Sequence, residues 1–388
     1  MTVIGITGTD GKTTTTELVY HILKTAGKKV SMISTVRAVI NGKEYDTGFH
    51  ITTPNSSILQ RFFSLAKKGH TEYMVLEVTS HALDQQRVRG IKFDIGVITN
   101  VSHEHLDYHK SFKNYLYTKA KLVTRAKNAI LNVDDTNFTF LSEKAQGKIY
   151  TFGIEKSAET CPQNTNYEST LIGKFNQYNI LASVAVARIL KIDDSTIRTA
   201  LKTFPGVKGR LEEIKNNKEF RIFIDFAHKI NALENALKTV RLLTDKRVIV
   251  VFGSAGLRDH LKRPIMGKVA GKIANFTILT AEDPRTEDVR DIIGQIASGC
   301  IIQGAKEVKK KFDLKNLQYP GHYFWRIPDR QEAINFAIKN LAKSGDIVLV
   351  TGKGHEKSMC YGTTEYPWDE ESAIRKALDD KIKQSKSI

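Results

Sequence analysis

The run Gly8-Thr-Asp-Gly11-Lys12-Thr13-Thr14 sets two glycines, a lysine and several hydroxyls directly after the apolar stretch Val3-Ile-Gly-Ile. A strand, a glycine-rich turn and a helix opening on Lys-Thr make an anion site, because unpaired N–H groups and the helix dipole point at the ligand. In that arrangement Gly8, Thr9, Asp10 and Gly11 wrap a polyphosphate and Thr14 lies beside it. Lys12 reaches the β/γ-phosphates and the Thr13 hydroxyl holds Mg2+. The spacing departs from the general G-x-x-x-x-G-K-[ST] pattern, since Ile6 stands where the first glycine belongs. Glu77 closes a second apolar run, Tyr73-Met-Val-Leu, and a carboxylate at the carboxyl end of a parallel strand beside such a turn is placed to hold a metal. His103, His105 and His109 fall close together, but no cysteine or paired helical spacing completes a zinc site around them.

The elements that position these groups follow from the apolar pattern. Runs of strand length alternate with helical periods along the whole chain, the mark of an α/β protein with parallel sheets. Strands are predicted at Val3–Thr7, Tyr73–Val78, Phe93–Thr99 and Ala129–Asn132, with a helix over Thr13–Ala26. A second set comprises Phe220–Asp225, Arg247–Gly253, Phe276–Thr280 and Asp346–Gly352, with helices over Asn231–Leu243 and Arg330–Leu341. Pro205 and Gly206 interrupt the pattern between the sets, so the division falls into residues 1–206 and 207–388. A chain of 388 residues is too long for one hydrophobic core and suits two or three domains.

Composition narrows the class. The three cysteines, Cys161, Cys300 and Cys360, are scattered and odd in number, which suggests neither a disulfide framework nor a zinc cluster. No long apolar run or signal-like leader is evident, so a cytoplasmic enzyme with no membrane partner is expected. The formal charge of +17 invites a nucleic-acid reading. The lysines, however, are scattered over amphipathic stretches without interleaved aromatics, so no nucleic-acid partner is expected.

Taken together, these strings resemble the Mur ligases, most closely their tripeptide synthetases (MurE-like). Gly8–Thr15 is similar to the family's G-T-[ND]-G-K-T-T-T, Glu77-Val-Thr-Ser-His81 to E-V-S-S-H, and Thr99–His109 to T-N-[LI]-x-x-D-H-L-D-x-H, with Glu104 for Asp. Gly173–Asn179 resembles G-x-F-N-x-x-N, Gly209–Glu212 resembles G-R-M-E, and Asp225–His228 resembles D-Y-A-H. Further on, Gly253–Asp259 with Lys262–Gly267 resembles G-x-G-G-x-R-D…K-R-P-x-M-G, Glu282–Glu287 resembles D-N-P-R-x-E, and Gly352–Glu356 matches G-K-G-H-E.

The resemblance implies a P-loop mononucleotide-binding central domain and a Rossmann-like C-terminal domain that binds the amino acid. The implied activity is that of an ATP-dependent ligase forming an amide bond through an acyl phosphate. ATP and two Mg2+ ions are the implied cofactors, with Thr13, Glu77, His105 and a carbamylated Lys119 as metal-binding groups. Asn179, Arg210 and Asp225 would contact the nucleotide, and His228 would lie near the phosphate end. Thr52, Thr53, Ser80 and Arg87 match acceptor-contacting positions, while Arg258, Asp283, Arg285, Gly352 and Glu356 match the amino-acid site. Asp283 replaces an asparagine and adds a negative charge there, so both meso-diaminopimelate and lysine remain candidates for the added amino acid.

The chain opens on the phosphate-binding strand, where the family carries an N-terminal UDP-binding domain. The expectations are therefore an excised piece, a natural short ligase for a UDP-free peptide, or a ligase served by a separate UDP-binding protein. Three rival functions stand beside these: a folylpolyglutamate- or cyanophycin-type ligase, a nucleotide-binding interaction subunit without activity, and a nucleic-acid-dependent ATPase.

Overall fold

The computed structural model describes residues 1–45, 52–102, 104, 106–165, 167–309, 314, 317 and 321–385, with backbone alone at 106, 107 and 380–385. The chain divides into two compact units, Met1–Val207 and Lys208–Ile388.

In the first unit the chain runs β1 (Thr2–Thr7), α1 (Lys12–Thr25), β2 (Val30–Ile33), β3 (Ala38–Ile40), β4 (Lys43–Tyr45), α2 (Ser56–Lys68), β5 (Tyr73–Glu77) and α3 (Ser80–Asp84). It continues through β6 (Phe93–Ile98), α4 (Leu106–His109), α5 (Phe112–Ala120), β7 (Ala126–Asn132), α6 (Phe138–Lys144), β8 (Lys148–Phe152), α7 (Lys174–Ile189) and α8 (Asp194–Thr203). The sheet order is β4-β3-β2-β5-β1-β6-β7-β8. Strands β2, β5, β1, β6, β7 and β8 are parallel, while β3 and β4 extend the edge antiparallel. Strand β1 lies between β5 and β6, with Ile4 opposite Val75 on one side and Ile95 on the other. The path reverses about this strand, and ligands of such sheets bind outside the carboxyl ends of the strands at that reversal.

Helix α1 begins with four threonines, which intrinsic preference disfavours because β-branched side chains lose rotamer freedom. Packing overrides preference here. Thr13 to Thr16 are all buried, Thr16 Oγ1 donates to the Lys12 carbonyl at 2.8 Å, and Leu18, Val19, Ile22 and Leu23 join a core with Leu181, Val184 and Ala185 of α7.

The second unit holds β9 (Glu212–Glu213), β10 (Arg221–Asp225), α9 (Ile230–Arg241), β11 (Val248–Phe252), α10 (Lys262–Ile273), β12 (Phe276–Leu279), α11 (Val289–Ile302) and β13 (Lys306–Glu307). After β14 (Tyr323–Arg326), α12 (Arg330–Asn335) and β15 (Ile347–Thr351) come the hairpin strands β16 (Ser358–Tyr361) and β17 (Thr364–Pro367), then α13 (Glu370–Ser385). The main sheet is ordered β13-β14-β12-β11-β15-β10-β9, parallel except for the edge strand β9. The core strands are buried on both faces, which is why Val248–Phe252 and Ile347–Thr351 read as unbroken apolar runs. The observed class is α/β as expected, and the expected parallel sheets carry antiparallel strands at their edges. Those short strands carry too few residues to show a period. The helix expected over Arg330–Leu341 changes at Phe336 into a π-helical turn.

Candidate active site

In the first unit the carboxyl ends of β1, β5 and β6 converge on the turn between β1 and α1. Gly8 has φ +149° and a Cβ there would lie 1.8 Å from Thr99 Oγ1, while Gly11 has φ +81° and its Cβ would meet Asn179 Oδ1 at 2.1 Å. Only glycine fits both positions. The turn is held from β6: Thr9 N donates to the Asn100 carbonyl at 2.8 Å, Asp10 N to Asn100 Oδ1 at 3.0 Å, and Thr99 Oγ1 to the Asp10 carbonyl at 2.6 Å.

Two ammonium groups meet on this turn. Lys12 Nζ donates to the carbonyls of Gly8 (3.0 Å) and Thr9 (2.9 Å), and the buried Lys119 Nζ donates to the Gly8 carbonyl at 2.6 Å. Lys119 also lies 4.7 Å from the centroid of the Tyr115 ring, whose hydroxyl is 3.1 Å from Thr9 Oγ1. Opposite them, Thr13 Oγ1 donates to Glu77 Oε1 at 3.0 Å, and Thr35 N donates to Glu77 Oε2 at 2.8 Å. A buried hydroxyl and carboxylate in contact are a hard-oxygen set that suits Mg2+. Among the described residues no group of three His, Cys, Asp or Glu side chains gathers as a metal cluster. His105 lies outside the described residues, so its place in this site is not shown.

The matched acceptor positions are neighbours of Glu77. Thr53 Oγ1 donates to the Glu77 carbonyl at 2.9 Å and accepts from Thr79 N at 3.0 Å, and Arg87 Nη1 donates to the Thr53 carbonyl at 2.9 Å. Ser80 Oγ is 3.0 Å from His109 Nε2, and Thr52 is partly exposed beside them. Asn179 is buried; its Nδ2 donates to Asn176 Oδ1 at 3.0 Å and its Oδ1 accepts from Thr15 Oγ1 at 3.4 Å. Thr14 is buried on α1.

The second unit gathers its charges at the carboxyl ends of β10, β12 and β15. Asp225 ends β10 and accepts from Leu211 N (2.6 Å) and Ala227 N (2.8 Å); burial pushes its carboxyl up to about 6, against the pull of Arg210. The Arg210 guanidinium lies 4.6 Å from the Phe226 ring centroid. His228 Nδ1 sits 2.8 Å from the Phe226 carbonyl, which can only accept, so Nδ1 carries the proton and Nε2 keeps the lone pair. Burial first, then Lys229 and Lys262, hold this imidazole well below its usual range and therefore neutral.

Two loops face each other in this unit. Asp283 Oδ1 accepts from the fully buried Lys353 Nζ at 2.8 Å and from Cys360 N at 3.0 Å, and Lys353 also pairs with Glu356 at 2.6 Å. The negative charge that Asp283 adds is therefore met internally by Lys353. Glu282 is also buried, its Oε2 has no hydrogen-bond partner, and desolvation raises its carboxyl to about 7 against the nearby cations Lys262, Arg330 and Lys353. Arg285 Nη1 donates to the Gly256 carbonyl at 3.3 Å, Arg258 is exposed on the facing loop, and Gly352 N donates to the Asp225 carbonyl at 3.1 Å.

Arg330 lies beneath this group and is not a motif residue. Its Nη1 donates to the Ala281 carbonyl (3.0 Å), its Nη2 to the Thr351 carbonyl (2.9 Å), and it is paired with Glu370 of α13. A charge opening a helix with apolar neighbours was its only sequence signal. Tyr115 and Thr35 likewise show their roles only through long-range contact.

Comparison with known proteins defines the class. A model of the Mur ligase middle domain matches residues 6–187, and one of the Mur ligase glutamate ligase domain matches residues 209–354. The UDP-N-acetylmuramoyl-L-alanyl-D-glutamate--2,6-diaminopimelate ligase of Caldanaerobacter subterraneus subsp. tengcongensis is 37% identical over 402 residues, covering 99% of this chain and 79% of that protein. A solved structure of a ligase of the same name superposes with a TM-score of 0.65 at 29% identity, over 98% of this chain and 79% of that one. A pseudomurein peptide ligase type C from Methanothermus fervidus shares the fold, with a TM-score of 0.64 at 21% identity over 98% of this chain and 79% of its own. The protein is thus an ATP-dependent acid–amino-acid ligase. The chain belongs to the Mur ligase family, of the tripeptide-synthetase type. Among the described residues no helix is long and apolar enough to cross a membrane.

Proposed function

We propose that this ligase adds a diamino acid, meso-diaminopimelate or lysine, to the peptide carboxylate of a UDP-muramoyl-peptide in cell-wall precursor synthesis. The observation that carries the reading is the 37% identity to a ligase whose name states that acceptor and, as the amino acid, 2,6-diaminopimelate. In this reading residues 1–206 form a P-loop nucleotide-binding domain around Gly8–Thr14, and residues 207–388 hold the amino acid.

The acceptor carboxylate attacks the γ-phosphate, ADP leaves, and the acyl phosphate so formed is displaced by the amine, releasing phosphate and leaving an amide. Lys12 exchanges neutral carbonyl acceptors for anionic phosphate oxygens, a charge-assisted bond that is the stronger of the two. Thr13 and Glu77, with His105 and a carbamylated Lys119, would hold Mg2+, which when bound neutralises charge on the phosphates. Asn179, Arg210 and Asp225 address the nucleotide, and Thr52, Thr53, Ser80 and Arg87 the acceptor. His228 stays neutral, so its Nε2 accepts a hydrogen bond near the phosphate end rather than holding the proton that the amine loses. Arg258, Asp283, Arg285, Gly352 and Glu356 form the amino-acid site, where Arg285 and Arg258 meet carboxylates and Glu356 meets the distal ammonium.

The test is phosphate release with ATP and Mg2+ over a panel of amino acids, crossed with UDP-linked and UDP-free peptide acceptors. Release that needs a diamino acid and the UDP-linked acceptor is expected. Release indifferent to the amino acid would overturn the reading, and preference for a UDP-free acceptor would correct the acceptor.

A further inference from the structure

Three non-glycine residues with left-handed backbone, Leu257 (φ 55°), Asp283 (φ 43°) and Arg285 (φ 55°), fall in the loops of residues 253–261 and 280–288 in the second unit. Bulky L-residues adopt that conformation only when their surroundings impose it, and such strain collects where function needs an exact side-chain position. Leu257 makes the point most clearly, since the residue is 60% exposed and packing cannot account for its backbone.

What holds the backbone at Leu257 is an ion pair between two motif residues with no catalytic assignment, a buried arginine and a partly exposed glutamate. Arg263, on the first turn of α10, is fully buried, and its Nη1 and Nη2 bond Glu287 Oε2 at 2.8 Å and Oε1 at 3.1 Å. Each partner then reaches into the loop that carries Arg258. Arg263 Nη2 donates to the Ala255 carbonyl at 3.1 Å, and Glu287 Oε1 accepts the N–H of Leu257. The loop is thus gripped one residue before Gly256 and one residue after it. Gly256 itself is tied to the other loop, its N–H to the Asp283 carbonyl at 2.9 Å and its carbonyl to Arg285. Glu287 is joined to that second loop as well, through its N–H to the Pro284 carbonyl at 3.1 Å. Gln295 of α11 adds a bond to Arg263 Nη1 at 3.0 Å.

We infer that Arg263 and Glu287 are positioning residues that hold Arg258 at a fixed spacing from Arg285, and so set the length of amino acid the enzyme takes. The inference rests on the assignment of those two arginines to the amino-acid site. A bidentate guanidinium–carboxylate pair suits the task because its planar geometry fixes direction as well as distance. Lysine at position 263 keeps the charge and loses the fork.

The test uses the full chain with Glu287→Gln, which keeps size and removes charge, Arg263→Lys, Arg258→Ala, and the double variant Glu287→Gln/Arg258→Ala. The exposed pair Arg221–Glu213, removed by Glu213→Gln, is the control for simple loss of an ion pair. Glu287→Gln is expected to raise the KM for the amino acid about tenfold while the KM for ATP stays within about twofold. The double variant is expected to be no worse than Arg258→Ala alone, because the pair acts through that arginine. Hydrogen–deuterium exchange should speed up at residues 255–258 in Glu287→Gln and Arg263→Lys but not in Glu213→Gln. Additive losses, KM values for both substrates rising together, or unchanged exchange at 255–258 would overturn the inference. If Arg258→Ala itself leaves the amino-acid KM unchanged, the assignment of the amino-acid site fails. The exchange measurement then still decides whether the pair holds the loop.

Discussion

The charged sites at the strand ends of the two units place charge in different ways. In the first, the cations Lys12 and Lys119 rest on backbone carbonyls, and Glu77 rests on a hydroxyl and an N–H. Neutral partners of this kind are easily exchanged for phosphate oxygens and a metal ion, so the site is ready for a strongly charged ligand that arrives and leaves. In the second, charge meets charge: Lys353 bridges Asp283 and Glu356, Arg330 is locked to Glu370, and Arg263 to Glu287. A buried ion pair adds little net stability, but removing one partner strands the other, which is costly. The contrast teaches that a substitution at the phosphate turn of the first unit should separate activity from stability, whereas one in the paired cluster of the second should couple them.

The largest expected effect comes from Lys12→Ala. Turnover should fall at least about a thousandfold, with the unfolding midpoint nearly unchanged, because the lysine donates to the neutral turn carbonyls of Gly8 and Thr9. Steady-state phosphate release and a thermal melt check both halves of that statement. A variant that lost stability along with activity would erase the contrast between the units.

Arg330→Met is the counterpart in the second unit. It leaves Glu370 buried without its guanidinium and frees the carbonyls of Ala281 and Thr351, so a loss of about 3–5 kcal/mol is expected in denaturant unfolding. A loss near zero would show that the buried charges there are not interdependent.

Glu282→Gln sharpens the comparison through pH. Burial raises the folded carboxyl to about 7 from an ordinary value of 4.5, so between those values the folded state keeps a proton that the unfolded chain releases. Stability should therefore fall as pH rises from 4.5 to about 7 and level off above it, by about 3 kcal/mol in all. The glutamine variant should lack that part of the fall and keep only the share that Asp225, raised to about 6, contributes at lower pH. Matching pH profiles for the two proteins would remove Glu282 as its source.

The smallest effect belongs to exposed pairs such as Lys174–Glu155, with side chains 63% and 58% exposed. Lys174→Ala should change stability by less than about 0.5 kcal/mol, and a larger change would mean that surface charge matters more than the buried networks imply.

Much of the site was legible because chemistry in an α/β protein sits where strands end. The Gly8–Thr14 turn, Glu77 at the end of β5 and Asp225 at the end of β10 could be placed from apolar runs followed by a break. What escaped was the pairing. Nothing in the spacing shows that Asp283, apparently an added negative charge, lies against Lys353 seventy residues later. Nor does it show that Arg330 and Glu370 brace two strand ends from a distance of forty residues. Contacts of this range depend on sheet order, and the order β13-β14-β12-β11-β15-β10-β9 cannot be read from local pattern. The short antiparallel edges escaped for the opposite reason, since strands such as Lys43–Tyr45 and Glu212–Glu213 are too brief to show alternation.

The most direct test of the proposed chemistry follows oxygen. With the acceptor carboxylate labelled by oxygen-18, and with ATP, Mg2+ and meso-diaminopimelate supplied, the phosphate released should carry one labelled oxygen for each amide formed. Amide formation with unlabelled phosphate would contradict transfer through an acyl phosphate, and labelled or unlabelled phosphate without any amide would contradict the ligase reading itself.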